Sequence, residues 1–237
     1  MKTSRPLLAS LVALLAACCL PAADMKPIAR VMTVLDVETD DAVGYATWLK
    51  DYNEIAKAKT GNPQLLRVFQ TVYDGSSTGR VRVSASASSV AELAKQMSAV
   101  ENDPAILANR EHLRAIRKTG ARVLYQAVRF EGPSPKGAYN YVTLAVVNDE
   151  AGYLKALDDL RGLLDGAGLK DIQLAAYRII AGRGDHTHRI TLSAPSSERQ
   201  AVLLDVMATN QKMSEWIAQS AKFRTVISNS TSREITK

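Results

Sequence analysis

The sequence predicts an α+β fold in which two βαββαβ units lie in tandem within one chain of 237 residues. The hydrophobic pattern passes from strand-like alternation to helical spacing in the order strand, helix, strand, strand, helix, strand. The same order returns about 108 residues later. A turn-rich segment of glycine, proline and serine separates the two units at residues 132–137.

The first unit begins with alternating apolar and polar positions, as in a half-buried strand. Asp41 can cap the helix that follows, and Ser88-Ser89 can cap a second helix. Pro104 interrupts this second helix and suits the first turn of a new one. The predicted elements are a strand over 29–37, a helix over 42–59, strands over 65–73 and 80–87, a helical segment over 90–118 and a strand over 122–130.

The second unit repeats this order, and Gly44-Tyr45 and Ser88-Ser89 have counterparts at the same offset in Gly152-Tyr153 and Ser196-Ser197. We assign residues 24–132 and 139–237 to the two units and residues 133–138 to the linker. The predicted elements are strands over 141–147, 172–180, 187–194 and 225–235, with helices over 150–164 and 198–223.

Right-handed crossovers convert each unit into a ferredoxin-like antiparallel sheet with both helices on one face. The other sheet face is bare and apolar, so two such sheets bury their faces against each other as an intrachain α+β barrel. Because the chain supplies its own second sheet, we expect a monomer or a weak homodimer.

The N-terminus predicts export to the bacterial periplasm. Lys2 and Arg5 precede an apolar run over 7–17 that is too short to span a bilayer, which is typical of a signal peptide. Cleavage after Ala23 would remove residues 1–23. A lipobox-like sequence would instead make residues 1–17 a lipoprotein signal and leave Cys18 as a lipidated membrane anchor. Both cysteines lie in this segment, so no disulfide is expected in the folded part.

Composition and motifs exclude several functions. The formal charge of +6 is spread among interspersed acidic residues, which argues against nucleic acid as a partner. The sequence contains no nucleophile elbow, phosphate loop or dinucleotide fingerprint. Four aromatic residues remain as candidates: they pack helix on sheet or line the barrel mouth around a small apolar or aromatic molecule. They are Trp48, Tyr52, Phe69 and Tyr73.

His186 and His188 form the one local pair that resembles metal ligands, with Asp185 as a possible third ligand. On a strand, alternate residues share a face, so both imidazoles could point the same way. Their position beside a glycine-rich turn favours exposed turn residues instead, and we predict no metal.

The chain resembles the dimeric α+β barrel superfamily, which includes antibiotic-biosynthesis monooxygenase-like and NIPSNAP-like proteins. The resemblance rests on the helix with Trp48 and Tyr52, on Thr60-Gly61 before residues 66–69, on the strand over 79–83 and on residues 102–104. It implies the barrel fold and a range of activities, among them cofactor-independent monooxygenases, haem-degrading enzymes and chlorite dismutase-like haem proteins.

The resemblance also singles out His112, because haem-degrading relatives place an axial histidine on the equivalent helix. They also use a Trp and an Asn near the pocket, which the first strand here does not offer. His112 lies in a basic stripe that could meet an anionic ligand, although a solvated helix surface is the favoured interpretation. The stripe comprises Arg110, Arg114, Arg117 and Lys118.

The sequence therefore favours a non-catalytic binder of a small apolar or aromatic ligand that needs no cofactor. The alternative is a cofactor-independent monooxygenase acting on an aromatic substrate, and a third hypothesis is a haem-binding protein. Because the two units differ at all histidines and most aromatic positions, we expect any site to be confined to one half.

Overall fold

The computed structural model describes residues 30–73, 80–132, 135–182 and 184–236. The predicted signal segment and Cys18 lie outside the described residues. The first half contains β1 (Val31–Glu38), α1 (Ala42–Thr60), β2 (Arg67–Tyr73), β3 (Arg80–Ala87), α2 (Val90–Glu101), α3 (Pro104–Ala108), α4 (Arg110–Ala115) and β4 (Lys118–Glu131). The second contains β5 (Tyr139–Val147), α5 (Glu150–Gly166), β6 (Gln173–Gly182), β7 (His188–Ala194), α6 (Ser197–Thr209), α7 (Gln211–Ser220) and β8 (Arg224–Glu234).

The eight strands form one closed antiparallel barrel in the order β1-β3-β2-β8-β5-β7-β6-β4. Within each half the strands occur in the order second, third, first, fourth. The halves join twice, where β4 pairs with β6 and where β2 pairs with β8. The predicted α+β class and the barrel are confirmed.

The helices cover the outer surface of the barrel. Alternate residues of a strand face opposite sides, and on β1 Val31 and Val37 pack with Tyr45 and Leu49 of α1 in the core of the first half. Val34 belongs instead to a cluster with Tyr125 and Tyr177 inside the barrel. A separate core joins α5, α6 and α7 to the strands of the second half.

The helical segment predicted to reach residue 118 is wrong at its end. Helix α4 stops at Ala115, and Lys118 already begins β4. The reason is tertiary pairing, because Lys118 lies opposite Glu38 and extends the β4 ladder along the full length of β1. Long-range pairing of this kind overrides local helix propensity.

The single long helix predicted over 198–223 is also wrong. It divides at Asn210, whose ψ of 117° is extended. The Asn210 side chain accepts a hydrogen bond from the backbone of Met213 and so caps α7 as a new helix. Among the described residues, no helix is long and apolar enough to cross a membrane.

Candidate functional site

A cavity of about 830 Å³ lies between the helices and the outer face of the sheet in the first half. Its floor comes from β1, β3 and β4, and its walls come from α1, α2, α3 and α4. The end of β6 in the second half adds Ala181 and Gly182 to its rim. Its volume falls within the range of small-molecule sites.

One wall of the cavity is aromatic. Tyr45, Trp48 and Tyr52 follow one another along α1, with ring centroids 6.4 Å and 5.7 Å apart. The Tyr52 hydroxyl contacts the Met97 sulfur at 3.9 Å. Burial raises the pKa of Tyr45 and of Tyr52, so both phenols are protonated at neutral pH.

The floor and the facing wall are aliphatic. Leu35, Val83 and Leu124 lie on the strands, and Leu93 and Leu113 contribute from the helices. A flat apolar molecule placed here would contact hydrocarbon on one side and the aromatic wall on the other. Such burial contributes about 25 cal/mol per Å² of apolar surface.

Another part of the lining is cationic. Four arginines line the cavity against a single carboxylate, that of Glu101, among the described lining residues. Arg117 donates a 2.8 Å hydrogen bond to the Tyr45 hydroxyl, and its guanidinium carbon lies 5.7 Å from the Tyr45 ring centroid. The arginines are Arg110, Arg114, Arg117 and Arg122.

The second half carries the same tyrosine–arginine pair but a much smaller cavity. Arg224 donates a 2.7 Å hydrogen bond to the Tyr153 hydroxyl. Trp216 of α7 fills the neighbouring space, where its indole lies 5.1 Å from the Arg224 guanidinium. The remaining cavity measures about 100 Å³. The difference in volume accords with the expected confinement of a site to one half.

The structure brings together only two of the four aromatic candidates. Trp48 and Tyr52 line the cavity, whereas Phe69 and Tyr73 lie on β2 outside its lining. Tyr73 is 72% exposed. The cavity itself lies between the helices and the outer face of the sheet, outside the barrel wall and not at the barrel mouth.

His112 lies exposed on α4 and is not among the lining residues, although its role in ligand binding stays a prediction. Three arginines of the basic stripe line the cavity, and of these Arg110 and Arg114 are also exposed, as the favoured interpretation of a solvated helix surface expects. Lys118 begins β4 instead. Sequence reasoning missed Arg122, whose outward direction follows from strand alternation only once the register of β4 is known.

His186 and His188 are buried, so the expectation of exposed turn residues is wrong. His186 Nε2 lies 2.9 Å from the Tyr125 hydroxyl, and its Nδ1 lies 3.1 Å from Asp185. His188 Nε2 lies 3.3 Å from Glu150, without hydrogen-bond geometry. The two imidazoles therefore contact different side chains. Among the described residues there is no group of three or more His, Cys, Asp or Glu side chains that could hold a metal ion.

Comparison with known protein families finds no match, and comparison with curated proteins finds none either. Solved structures do match. A candidate monooxygenase from Fusobacterium nucleatum superposes with a TM-score of 0.56 at 8% identity, over 86% of this chain and 91% of that chain. A candidate chlorite dismutase superposes with a TM-score of 0.54 at 9% identity, over 87% of this chain and 94% of that chain.

An anthrone oxidase-like protein gives a TM-score of 0.50 at 13% identity, over 86% of this chain and 91% of that chain. These structures share the dimeric α+β barrel fold, so the fold implied by the sequence resemblance is confirmed. At such identities the likeness concerns the fold alone.

The residues of the cavity do not fit a histidine-ligated haem. The described lining contains no histidine or cysteine, and its potential iron ligands are Tyr45, Tyr52 and Met97. Tyr45 already accepts the Arg117 hydrogen bond, and Tyr52 already contacts Met97. His112 would have to leave its exposed position on α4 to reach the cavity.

Proposed function

We propose that the chain binds a small, planar, apolar or aromatic molecule that carries an acidic group, and that binding without turnover is its role. The observation that carries this proposal is the cavity of about 830 Å³, with an aromatic and aliphatic body and four arginines in its lining. The apolar body of the ligand would lie against Trp48 and Tyr52. Its anionic group would meet the guanidinium groups, which bind carboxylates well.

The titratable groups of the cavity argue for binding over acid–base chemistry. Tyr45 and Tyr52 hold their protons at neutral pH because burial raises their pKa values. Arginines do not act as bases at that pH. Glu101 is the single carboxylate of the described lining, which contains no histidine, so few of those residues suit general acid–base catalysis.

Two fluorescent probes test the proposal, 1-pyrenebutyrate and its neutral counterpart 1-pyrenebutanol. We expect saturable binding of both probes, with the acid binding more tightly. Trp48→Ala should weaken the binding of both probes, because it removes stacking surface. Arg110→Gln should weaken the binding of 1-pyrenebutyrate alone by roughly tenfold, or about 1.4 kcal/mol, because only the acid loses a charge-assisted contact.

Lys212→Gln is the control, since Lys212 is an exposed residue of α7 in the second half. It removes the same charge far from the cavity and should leave both affinities unchanged. Absence of saturable binding, or equal binding by wild type and Trp48→Ala, would contradict the proposal.

A cofactor-independent monooxygenase is the second candidate, favoured by the fold shared with a candidate monooxygenase and an anthrone oxidase-like protein. An electron-rich aromatic substrate in this cavity would need few protein groups. Oxygen uptake with anthrone, abolished by Trp48→Ala, would establish that activity. Its absence in a protein that binds the pyrene probes would support the binding role.

We also propose that the two halves are ferredoxin-like repeats of duplicated origin within the dimeric α+β barrel superfamily. Paired details support it. The Asp41 side chain caps α1 at Gly44 as Asp149 caps α5 at Gly152. Because the described strands close on each other, we propose a monomer or weak homodimer. We also propose that it is exported to the periplasm, free or anchored as a lipoprotein, as the N-terminal sequence predicts.

A further inference from the structure

The interior of the barrel carries a polar cluster that the proposed cavity does not use. Arg189 of β7 is 8% exposed, and its Nε has no hydrogen-bond acceptor among the described residues. Arg189 lies opposite Tyr177 in the β6–β7 ladder, and the Tyr177 and Tyr125 rings meet edge to face at 6.4 Å. Arg82 is close enough for its charge to act on Arg189. The cluster therefore places a buried cation in the barrel.

The nearby carboxylate is engaged by another arginine. Arg82 Nε lies 3.1 Å from Asp36, and Arg82 Nη1 donates a 3.0 Å hydrogen bond to Ser230. The Asp36 side chain is 53% exposed, so much of its charge is directed to solvent. Asp36 consequently balances Arg82 and leaves Arg189 without a dedicated counter-charge among the described residues.

The tyrosines supply no negative charge either. Burial raises the pKa of Tyr125 and of Tyr177, so both remain phenols at neutral pH. The charges that act on Tyr177 are all cationic, from Arg30, Arg189 and Arg67. Arg67 is balanced by Glu234 at 2.6 Å, but Arg30 adds to the positive potential.

The Tyr125 hydroxyl ends a hydrogen-bond chain that runs through His186 to Asp185. A carboxylate only accepts, so in the neutral tautomer His186 donates from Nδ1 to Asp185 and accepts at Nε2 from Tyr125. In that arrangement the Tyr125 oxygen can accept a hydrogen bond from Arg189, whose side chain acts on it. Arg189 thus has a neutral partner in Tyr125. Its Nε–H still has no hydrogen-bond acceptor among the described residues, and its positive charge has no dedicated counter-charge there.

We propose that the barrel interior holds a small inorganic anion of the size of chloride, with Arg189 Nε as its donor. The surrounding side chains favour a small occupant, because Val34, Val123 and Ala175 are buried beside the two tyrosines. A buried guanidinium without a counter-ion is costly, and a bound anion both neutralises it and accepts a hydrogen bond from its Nε–H.

Thermal unfolding of the purified chain in sodium chloride and in sodium gluconate, at matched ionic strength, tests the proposal. Since a ligand of the folded state stabilises it, excess chloride should raise the Tm by roughly 2–4 °C. Arg189→Met should abolish this shift. Lys170→Met, which removes the same charge from an exposed position, should retain it.

Crystals of the wild-type chain soaked in bromide decide the matter even if Arg189→Met fails to fold. Anomalous density in contact with Arg189 Nε would support the proposal. A water molecule or a protein oxygen in that position, or a Tm that is the same in both salts, would overturn it.

Discussion

Trp216 donates a 2.6 Å hydrogen bond from its indole nitrogen to the backbone carbonyl of Ala156. Ala156 lies 108 residues after Trp48, so a small residue of the second half stands where the first half has its tryptophan. The space thereby left beside α5 is filled by Trp216 from α7. One half consequently holds a cavity of about 830 Å³ and the other a cavity of about 100 Å³.

Trp216→Ala should open the second cavity and destabilise the protein by about 3–5 kcal/mol, because the substitution removes a large buried ring. Denaturant unfolding measures this loss. Trp216→Phe keeps most of the packing and loses only the indole hydrogen bond to the Ala156 carbonyl, so it should cost less. A loss below about 1 kcal/mol for Trp216→Ala would show that the indole does not support the core.

Elements that local sequence determines can be predicted, whereas features that depend on distant residues cannot. The alternating sequence of β3 predicts its observed bounds, because alternation is a local property of the strand. The helix break at Asn210 cannot be predicted in this way, because the helical hydrophobic pattern continues through it and only the side-chain cap reveals the break. The cavity position was missed for a different reason. It depends on the size of residues across a helix–sheet interface, and no local pattern records that relationship.

Stability should fall at alkaline pH because folding holds Tyr153 protonated. Burial raises the pKa of Tyr153 from its ordinary 10 to about 12. A folded pKa above the unfolded pKa means that this stabilisation is complete below pH 10 and is lost as the pH rises toward about 12. The loss should reach about 1.4 kcal/mol per pH unit from this residue.

Denaturant unfolding between neutral pH and the alkaline limit measures that slope. Tyr153→Phe should be less stable at neutral pH, since it loses the Arg224 hydrogen bond, but its pH dependence should be shallower. Parallel pH profiles for the two proteins would contradict the prediction.

Gly182→Ala should strain the junction between the halves at the cavity rim. Gly182 has a φ of 100°, and an added Cβ would lie 2.5 Å from the Arg122 carbonyl oxygen. We expect a loss of about 1–3 kcal/mol in the free energy of unfolding. We also expect weaker 1-pyrenebutyrate binding, because Arg122 lines the cavity. Gly162→Ala on α5, where nothing lies near an added Cβ, should instead stabilise by about 0.5–1 kcal/mol.

Arg67 and Glu234 should be the main polar link that closes the barrel between β2 and β8. Glu234 is fully buried at its side chain, accepts hydrogen bonds from Arg67 at 2.8 Å and 2.6 Å, and also accepts one from the backbone of Ala138. Glu234→Ala should cost about 3–5 kcal/mol, because it removes the carboxylate that neutralises the partly buried Arg67 guanidinium and that accepts from the Ala138 backbone.

A double-mutant cycle with Arg67→Met measures the interaction free energy between Arg67 and Glu234, apart from the contacts that each makes with other residues. The double variant should be destabilised by less than the sum of the two single variants, since each single change removes the opposite charge from a buried or partly buried partner. Additive losses in urea unfolding would mean that the two side chains act independently. In that case the backbone ladder between Phe69 and Glu234 would hold this seam of the barrel by itself.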